Sequence, residues 1–269
     1  MSNTGAGHDT NDYRKEPRIL LMDIETTPFV GYTWGKWQQN VIQFQETWHL
    51  LCFAYKWLGE EDIHVVSQRQ FARSYKRNRK DDRQVAQAMH ALMEEADIVI
   101  AHNGDKFDIR KVNARFAIHG MRRPEPFLTV DTLKVAKRSF DFGSNSLNDL
   151  GYFLDLGHKM PHTGFDLWLG CMAGEDDSWD LMEAYNVQDV VLLEKVYQYF
   201  LNGGWILNHP NLALISGHVD ACPNCGSIDR MKRGFATTTA YRFQRYQCNS
   251  CGSYHRSYAS EPGSRGTYR

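Results

Sequence analysis

The chain has 269 residues, of which 42% are hydrophobic, and a formal net charge of −1 at pH 7. A chain of this length can bury a sizeable core, which favours a folded globular protein over a disordered one. Its apolar runs are all shorter than the roughly 20 residues that a membrane helix needs. We therefore expect a cytoplasmic protein without a membrane partner, with a disordered polar leader over residues 1–17.

The first predicted strand, near residues 18–24, ends in two acidic residues. The apolar run Ile19–Met22 is followed directly by Asp23, Ile24 and Glu25. Side chains two residues apart on a strand point to the same face of the sheet. Asp23 and Glu25 should therefore point to one place, while Ile24 faces the core.

Strands and helices alternate after this point. We predict strands near residues 49–57, 62–67, 97–101 and 127–130, and helices near residues 83–95, 107–119, 145–155 and 178–200. A β-meander followed by alternating strands and helices is typical of an α/β fold with a mixed sheet flanked by helices. Asp108 lies where a buried strand gives way to a helix, which is a usual place for functional groups in such folds.

The last long helix carries Tyr185 and Asp189. Residues four apart lie one turn apart on the same helix face, so both side chains should point to one place. If the fold brings Asp23, Glu25, Asp108 and Asp189 together, they can hold two Mg²⁺ or Mn²⁺ ions about 3.5–4 Å apart. Such a pair of ions activates water and neutralises a leaving oxygen, and its usual chemistry is phosphodiester cleavage.

Three motifs of this chain, in this order, resemble those of a known family. They resemble the Exo I, Exo II and Exo III motifs of the DEDD superfamily of 3′→5′ exonucleases, which have a ribonuclease H-like fold. The three segments are Asp23-Ile24-Glu25-Thr26, Asn103–Asp108 and Tyr185–Asp189. The tyrosine four residues before the last aspartate makes the third motif similar to that of the DEDDy branch of this superfamily. That branch includes the proofreading domains of family A and family B DNA polymerases.

This resemblance implies specific roles for the acidic residues. It implies that Asp23, Glu25, Asp108 and Asp189 are the metal ligands and that the hydroxyl of Tyr185 orients the attacking water. It also implies 3′→5′ polarity and 5′-mononucleotide products.

The substrate-binding residues expected from the resemblance lie close to the motifs. Asn103 and Phe107 would help to place the 3′-terminal nucleotides. Ser146 begins a helix that is similar to the substrate side of the family, where polar groups and helix N–H groups can meet a phosphate. We add Thr26 from the first motif and Lys159, which lies in a loop that could contact the backbone of the bound strand.

Other residues near the motifs have structural interpretations. Asp131 precedes a predicted helix and is expected to cap it or to support the metal ligands. His102 is expected to make local hydrogen bonds. Cys52 and Cys171 have no spaced partner, and we expect both to be buried thiols.

Four cysteines near the end of the chain form two knuckles. Cys222 and Cys225 make one C-x-x-C-G motif, and Cys248 and Cys251 make a second one. Paired motifs of this kind supply the four tetrahedral thiolates that Zn²⁺ prefers. Two disulfides are the alternative, but the expected intracellular location disfavours them. Aromatic and β-branched residues between the knuckles predict a β-hairpin, so the segment resembles a zinc ribbon with one structural Zn²⁺.

Positive charge is concentrated in the same part of the chain. From Ala221 onward the chain has eight lysines or arginines against two acidic residues, Asp229 and Glu261. Cations interleaved with aromatic residues suit a nucleic acid, because cations contact phosphates and rings stack on bases. A protein-docking module or an ordinary polar surface remains an alternative interpretation of the ribbon.

The sequence predicts five segments: a leader at 1–17, a ribonuclease H-like 3′→5′ exonuclease domain at 18–200, a linker at 201–219, a zinc ribbon at 220–258 and a flexible tail at 259–269. The expected activity is two-metal hydrolysis of nucleic acid with a single-stranded 3′ end, with DNA preferred over RNA as the expected substrate. One alternative is a non-catalytic nucleic-acid-binding adaptor. Another is a nuclease subunit whose ribbon docks onto a replication or repair protein.

Overall fold

The computed structural model describes residues 16–37, 40–161 and 163–263. The chain divides into two compact units, one spanning Arg18–Asn208 and a second one that contains the cysteine knuckles and begins at His209. Most of the predicted leader and the end of the predicted tail lie outside the described residues.

The first unit is built on a five-stranded mixed sheet with strand order β5-β4-β1-β6-β7. Strands β5, β4 and β1 pair antiparallel as a meander, and β6 and β7 add to β1 in parallel. A separate hairpin, β2 and β3, follows the first strand. The strands are β1 (Ile19–Thr26), β2 (Val30–Tyr32), β3 (Gln43–Glu46), β4 (Leu50–Trp57), β5 (His64–Ser67), β6 (Ile98–Ala101) and β7 (Leu128–Asp131).

Helices cover both faces of this sheet, so the predicted α/β class with a mixed, helix-flanked sheet is confirmed. The helices are α1 (Ala72–Arg77), α2 (Arg83–Glu95), α3 (Asp108–Ile118), α4 (Thr132–Ser139), α5 (Leu147–Phe153), α6 (Asp166–Ala173) and α7 (Asp176–Asn202). Of the helices in the described part of the chain, not one combines the length and the hydropathy that a membrane crossing requires.

Two apolar clusters hold the layers together. On one face, Met22 and Ile24 of β1 pack in a cluster with buried residues of α2 and α3. On the other face, Leu51 and Cys52 of β4 pack with α6 and α7, including Trp179. Because side chains alternate along β1, Asp23 and Glu25 must face the opposite side of the sheet, where α7 packs. This alternation places the acidic end of β1 beneath the longest helix.

The second unit contains a short helix and a three-stranded antiparallel sheet with order β10-β9-β8. Its elements are α8 (Leu212–Ile215), β8 (Arg230–Thr237), β9 (Arg242–Cys248) and β10 (Tyr254–Arg256). Strands β8 and β9 form a hairpin between the knuckles, where the sequence indicates one, and β10 adds a third strand. The segment predicted as a linker contains the end of α7 and all of α8, and its boundaries stay a prediction.

Candidate active site and cysteine cluster

Three of the four carboxylates with a predicted metal-binding role lie together. Asp23, Glu25 and Asp189 each offer one carboxylate oxygen, and these oxygens lie within 4.8 Å of one another. Asp23 and Glu25 reach this point from the central strand β1, and Asp189 reaches it from α7, where it is 1% exposed. The strand and the helix are far apart in sequence, so the packing of α7 on the sheet creates the group.

The fourth carboxylate, Asp108, is held beside the group rather than within it. It is the first residue of α3 and is almost fully buried. Its Oδ1 accepts a hydrogen bond from the main-chain N–H of Ile24 at 3.2 Å. Burial raises the pKa of Asp108 to about 7, while hydrogen bonds from main-chain N–H groups act in the opposite direction. Asp108 therefore adds negative charge next to Asp23 without joining the three converging carboxylates.

Burial and mutual repulsion make this group unfavourable in its fully ionised form. Burial raises the pKa of Asp23 well above its ordinary value, and the charges of Asp108, Glu25 and Asp189 raise it further. Burial also raises the pKa of Glu25 to about 8, and Asp189 adds to the shift. Converging carboxylate oxygens with unfavourable negative charge fit a divalent cation such as Mg²⁺ or Mn²⁺, which takes oxygen ligands.

Lys159 supplies a positive charge to the acidic group. Its Nζ donates to Oδ2 of Asp189 at 2.5 Å and to the hydroxyl of Tyr185 at 3.0 Å. Burial lowers the pKa of Lys159, but Asp189 and Tyr185 outweigh this effect, so the pKa is raised. Burial raises the pKa of Tyr185 to about 12, so its hydroxyl stays protonated at neutral pH. The sequence suggests a substrate contact for Lys159, and the structure places its ammonium against Tyr185 and Asp189.

Asn186 is a site residue that the sequence analysis missed. Its Nδ2 donates to the main-chain oxygen of Asp23 at 3.2 Å and to Oδ2 of Asp23 at 2.7 Å. Asn186 is fully buried, and its Oδ1 has no hydrogen-bond partner among the described residues. A polar residue directly after Tyr185, in a helix that is otherwise largely buried, is the signal that could have revealed it.

A cavity of about 470 Å³ opens beside Asp23. Three of the five predicted substrate-binding residues, Asn103, Ser146 and Lys159, line it. Its lining consists of Asp23, His102, Asn103, Leu133, Lys137, Asn145, Ser146, Leu147 and Lys159. The wall thus combines two lysines and several neutral polar groups with two leucines and the carboxylate of Asp23, and the lysines can meet a phosphate while the leucines border a sugar or a base.

Asn103 holds its place in this wall through an unusual backbone conformation. Its φ of 70° is left-handed, a region in which asparagine is enriched. Its N–H donates to Oδ1 of Asp131 at 2.9 Å, and the same oxygen accepts from the N–H groups of Leu133 and Lys134 at the start of α4. Asp131 therefore caps α4 as predicted, and it also fixes the turn that carries Asn103.

Thr26 and Phe107 are absent from the lining of this cavity and share a different neighbour. The Nζ of Lys111 donates to Oγ1 of Thr26 at 3.0 Å and lies 5.0 Å from the ring centroid of Phe107. Lys111 is a second residue that the sequence analysis missed. It lies three residues after Asp108 on α3, so it faces the same side of that helix. Burial lowers the pKa of Lys111, and Asp108 opposes this shift.

His102 makes local hydrogen bonds, as the sequence suggests. Its Nδ1 lies 2.9 Å from Oγ1 of Thr132, and its Nε2 lies 3.0 Å from the main-chain oxygen of Asn145. Burial lowers its pKa to about 4, so the ring is neutral at pH 7. Cys52 and Cys171 are buried thiols, which confirms that expectation.

The four knuckle cysteines in the second unit also converge. Their sulfur atoms all lie within 4.8 Å of one another. The Sγ atoms of Cys222 and Cys251 are 3.7 Å apart, and those of Cys225 and Cys248 are 3.5 Å apart. A tetrahedral site with Zn–S bonds of about 2.3 Å has sulfur separations of roughly 3.8 Å. The cysteine group therefore fits Zn²⁺.

The family model of the RNase H superfamily matches residues 55–201, which include β6, α3 and all but the last residue of α7. The chain belongs to the RNase H superfamily. Membership of this superfamily supports a nuclease and hence nucleic acid as a partner. The match begins within β4, so it takes in Asp108 and Asp189 but starts beyond Asp23 and Glu25.

A solved structure shares the fold. The family B DNA polymerase from the hyperthermophilic archaeon Pyrobaculum calidifontis is similar with a TM-score of 0.51 and 14% sequence identity. The similarity covers 83% of this chain and 31% of the polymerase chain, so this chain spans about a third of the polymerase. At this identity the likeness is one of fold. No curated protein sequence matches the chain.

Proposed function

We propose that this chain is a metal-dependent 3′→5′ exonuclease of the DEDDy type that hydrolyses single-stranded nucleic acid, with DNA preferred, and releases 5′-mononucleotides. The observation that carries the proposal is the convergence of oxygens from Asp23, Glu25 and Asp189 within 4.8 Å of one another, beside the cavity that Asp23 borders. The polarity and the preference for DNA rest on the resemblance of the three motifs.

The carboxylates would hold the catalytic ions. Asp23, Glu25 and Asp189 form the proposed binding group, and Asp108 is the proposed fourth ligand. When bound, two Mg²⁺ or Mn²⁺ ions supply an activated water and neutralise charge on the leaving oxygen. In this role Asp108 would either give up the hydrogen bond that its Oδ1 accepts from the N–H of Ile24, or bind an ion through its other carboxylate oxygen.

Tyr185 and Lys159 would position the reacting groups. The hydroxyl of Tyr185 is held by Lys159 and stays protonated, so it can donate a hydrogen bond to the attacking water. Lys159 also borders the cavity, where its ammonium would meet a phosphodiester. Asn103 and Ser146 would contact the terminal nucleotide from the same cavity wall.

We further propose that Cys222, Cys225, Cys248 and Cys251 hold one structural Zn²⁺ in a ribbon spanning 220–258. Four thiolates fill a tetrahedral coordination shell, so this ion would have no open position for substrate. The catalytic domain at 18–200, the linker at 201–219 and the tail at 259–269 complete the proposed domain organisation.

The decisive experiment uses purified protein, Mg²⁺ or Mn²⁺, and 5′-labelled single-stranded DNA or RNA. Asp23→Ala is the test variant and Asp62→Ala is the matched control, because Asp62 is an exposed aspartate away from the carboxylate group. We expect a ladder that shortens from the 3′ end with the wild type and with Asp62→Ala, and no ladder with Asp23→Ala.

Other outcomes point to other functions. Internal cuts without a ladder would show an endonuclease. Binding without cleavage of either substrate would overturn the proposal in favour of a non-catalytic adaptor or a nuclease that needs a docked partner. Tyr185→Phe should retain part of the activity, since the ions would still activate water.

A further inference from the structure

The sheet of the second unit has a face that carries arginines and aromatic rings. Directly paired residues of antiparallel strands share a face, and Arg245 pairs with Arg256 while Gln247 pairs with Tyr254. Phe243, two residues from Arg245 on β9, lies on that face as well. Arg233 of β8 joins it, since its Nε donates to Oε1 of Gln247 at 3.0 Å. The basic ribbon face is defined here as Arg233, Phe243, Arg245, Tyr254 and Arg256.

The arginines of the basic ribbon face are held by uncharged groups. The guanidinium of Arg256 lies 3.8 Å from the ring centroid of Phe243, and that of Arg245 lies 5.7 Å from the ring centroid of Tyr254. The Nε of Arg245 donates to the main-chain oxygen of Arg233 at 2.9 Å. Within residues 209–263, these three arginines form no ion pair with a carboxylate. Their positive charge is therefore ordered but not neutralised.

Each acidic residue of the described ribbon contacts a residue outside the basic ribbon face. Asp220 forms an ion pair with Arg230 at 3.0 Å, and Asp229 accepts from Nδ2 of Asn249 at 2.7 Å. The main-chain N–H of Glu261 donates to the main-chain oxygen of Arg242 at 2.8 Å. Arg230 and Arg242 both belong to the opposite face of the sheet by strand pairing. The opposite face has as many cations, Arg230, Lys232 and Arg242, but Arg230 is paired with a carboxylate. The three arginines of the basic ribbon face are therefore distinguished by their lack of a carboxylate partner within residues 209–263 and not by their number.

We propose that the basic ribbon face is a binding surface for single-stranded nucleic acid. Its arginines would contact successive phosphates, which supply most of the affinity of such surfaces. Tyr254 is 60% exposed and would stack on an unpaired base, while Phe243 underlies Arg256. A duplex keeps its bases stacked inside, so rings exposed beside cations favour a single strand. This binding does not depend on cleavage by the first unit.

The test compares two double variants of the full chain. Arg245→Ser/Arg256→Ser removes two cations from the basic ribbon face. The control, Lys232→Ser/Arg242→Ser, removes two cations from exposed positions on the opposite face. Fluorescence anisotropy with labelled single-stranded oligo(dT), without added divalent cation and without chelator, reports the Kd as a function of salt. Zinc content is measured for every variant, and equal values establish that the ribbon is folded.

We expect Arg245→Ser/Arg256→Ser to weaken binding by at least about tenfold. The slope of log Kd against log salt should fall by about 1.4, since each lost phosphate contact to a single strand changes that slope by roughly 0.7. Tyr254→Ala should weaken binding about tenfold, against little change for Tyr241→Ala in the β8–β9 turn. Equal losses in both double variants would overturn the proposal in favour of general charge attraction. Unchanged oligo(dT) binding in the basic-face variant, with lost binding to an acidic peptide, would overturn it in favour of protein docking.

Discussion

Asn186 of α7 donates hydrogen bonds to both the main-chain oxygen and the carboxylate of Asp23 on β1. The amide therefore fixes the position of the strand and the orientation of the side chain at the same time. It also ties Asp23 to the helix that presents Tyr185 and Asp189. Asn186 therefore sets where the carboxylate of Asp23 lies relative to Tyr185 and Asp189.

Replacing Asn186 should impair catalysis more than folding. We expect Asn186→Ala to lower kcat for single-stranded DNA by about 10–100-fold, the usual effect of losing a group that orients a metal ligand. Steady-state hydrolysis with saturating Mg²⁺ provides the measurement. Asn202→Ala is the matched control, since Asn202 is an exposed asparagine at the end of the same helix. An unchanged kcat in Asn186→Ala would contradict the orienting role.

Binding of a divalent cation should release protons at neutral pH. Burial raises the pKa of Glu25 to about 8 and that of Asp108 to about 7, so both are partly protonated in the metal-free protein at pH 7. A metal ligand must be deprotonated, so Mg²⁺ affinity should increase as the pH rises through these values. Calorimetry in two buffers with different ionisation enthalpies measures the released protons. Heat that is independent of the buffer at pH 7 would contradict the raised pKa values.

The sequence could predict the elements that carry the carboxylates because their signals are local. The apolar run before Asp23 marks β1, and the predicted helix at 83–95 has the same bounds as α2. The contacts of Asn186 and Lys111 depend on how helices pack on the sheet, and no local pattern encodes that packing. The position of Asp108 against the N–H of Ile24 could not be predicted for the same reason.

The hairpin of β2 and β3 escaped the sequence analysis for another physical reason. Strand patterns are recognised by alternation between a buried and an exposed face, but this hairpin has little buried surface. Trp34 and Trp37, between its strands, are each 85% exposed. Strand β10 was missed because its three residues, Tyr254–Arg256, are too few to establish a period.

The cysteine cluster should contain one zinc ion per chain. Cys248→Ser should lose the zinc and render residues 220–258 sensitive to limited proteolysis, since a segment this short depends on its metal for folding. Elemental analysis and mass spectrometry of the proteolytic fragments provide the measurements. Cys171→Ser is the control, because Cys171 is a buried cysteine outside the cluster. A stoichiometric zinc content in Cys248→Ser would show that this sulfur is not a ligand.

His49 should make the fold less stable in mild acid. Burial lowers the pKa of His49 to about 4, against about 6.5 in an unfolded chain. Between these values the unfolded chain binds a proton that the folded chain does not, so stability is lost as the pH falls from 6.5 towards 4. The loss from this residue is about 3 kcal/mol at most. Urea unfolding of the wild type and His49→Gln across this pH range should show a smaller loss in the variant. The exposed His64→Gln should follow the wild type.

Asp82 should be a major contributor to stability although its partners do not belong to the carboxylate group. Asp82 is fully buried. Its carboxylate accepts hydrogen bonds from the N–H of Leu50 at 2.8 Å and from Nη2 of Arg115 at 2.6 Å. The Nε2 atom of His119 also lies 2.6 Å from this carboxylate. Asp82→Ala would leave the guanidinium of Arg115 buried without its carboxylate, at a cost of about 3–5 kcal/mol. The neighbouring Asp81→Ala breaks an exposed ion pair with Arg77 and a hydrogen bond from the N–H of Arg83 at the start of α2, and we expect a smaller loss of about 1–2 kcal/mol.

Equilibrium urea unfolding of both variants measures the difference, and a double variant identifies its cause. If the uncompensated charge of Arg115 dominates, Asp82→Ala/Arg115→Met should regain part of the stability lost in Asp82→Ala, because the methionine has no charge to bury. If the lost hydrogen bond to the N–H of Leu50 dominates instead, the second substitution should recover nothing. An Asp82→Ala protein as stable as Asp81→Ala would contradict both accounts, because the burial of a carboxylate with three partners would then have no measurable consequence for the fold.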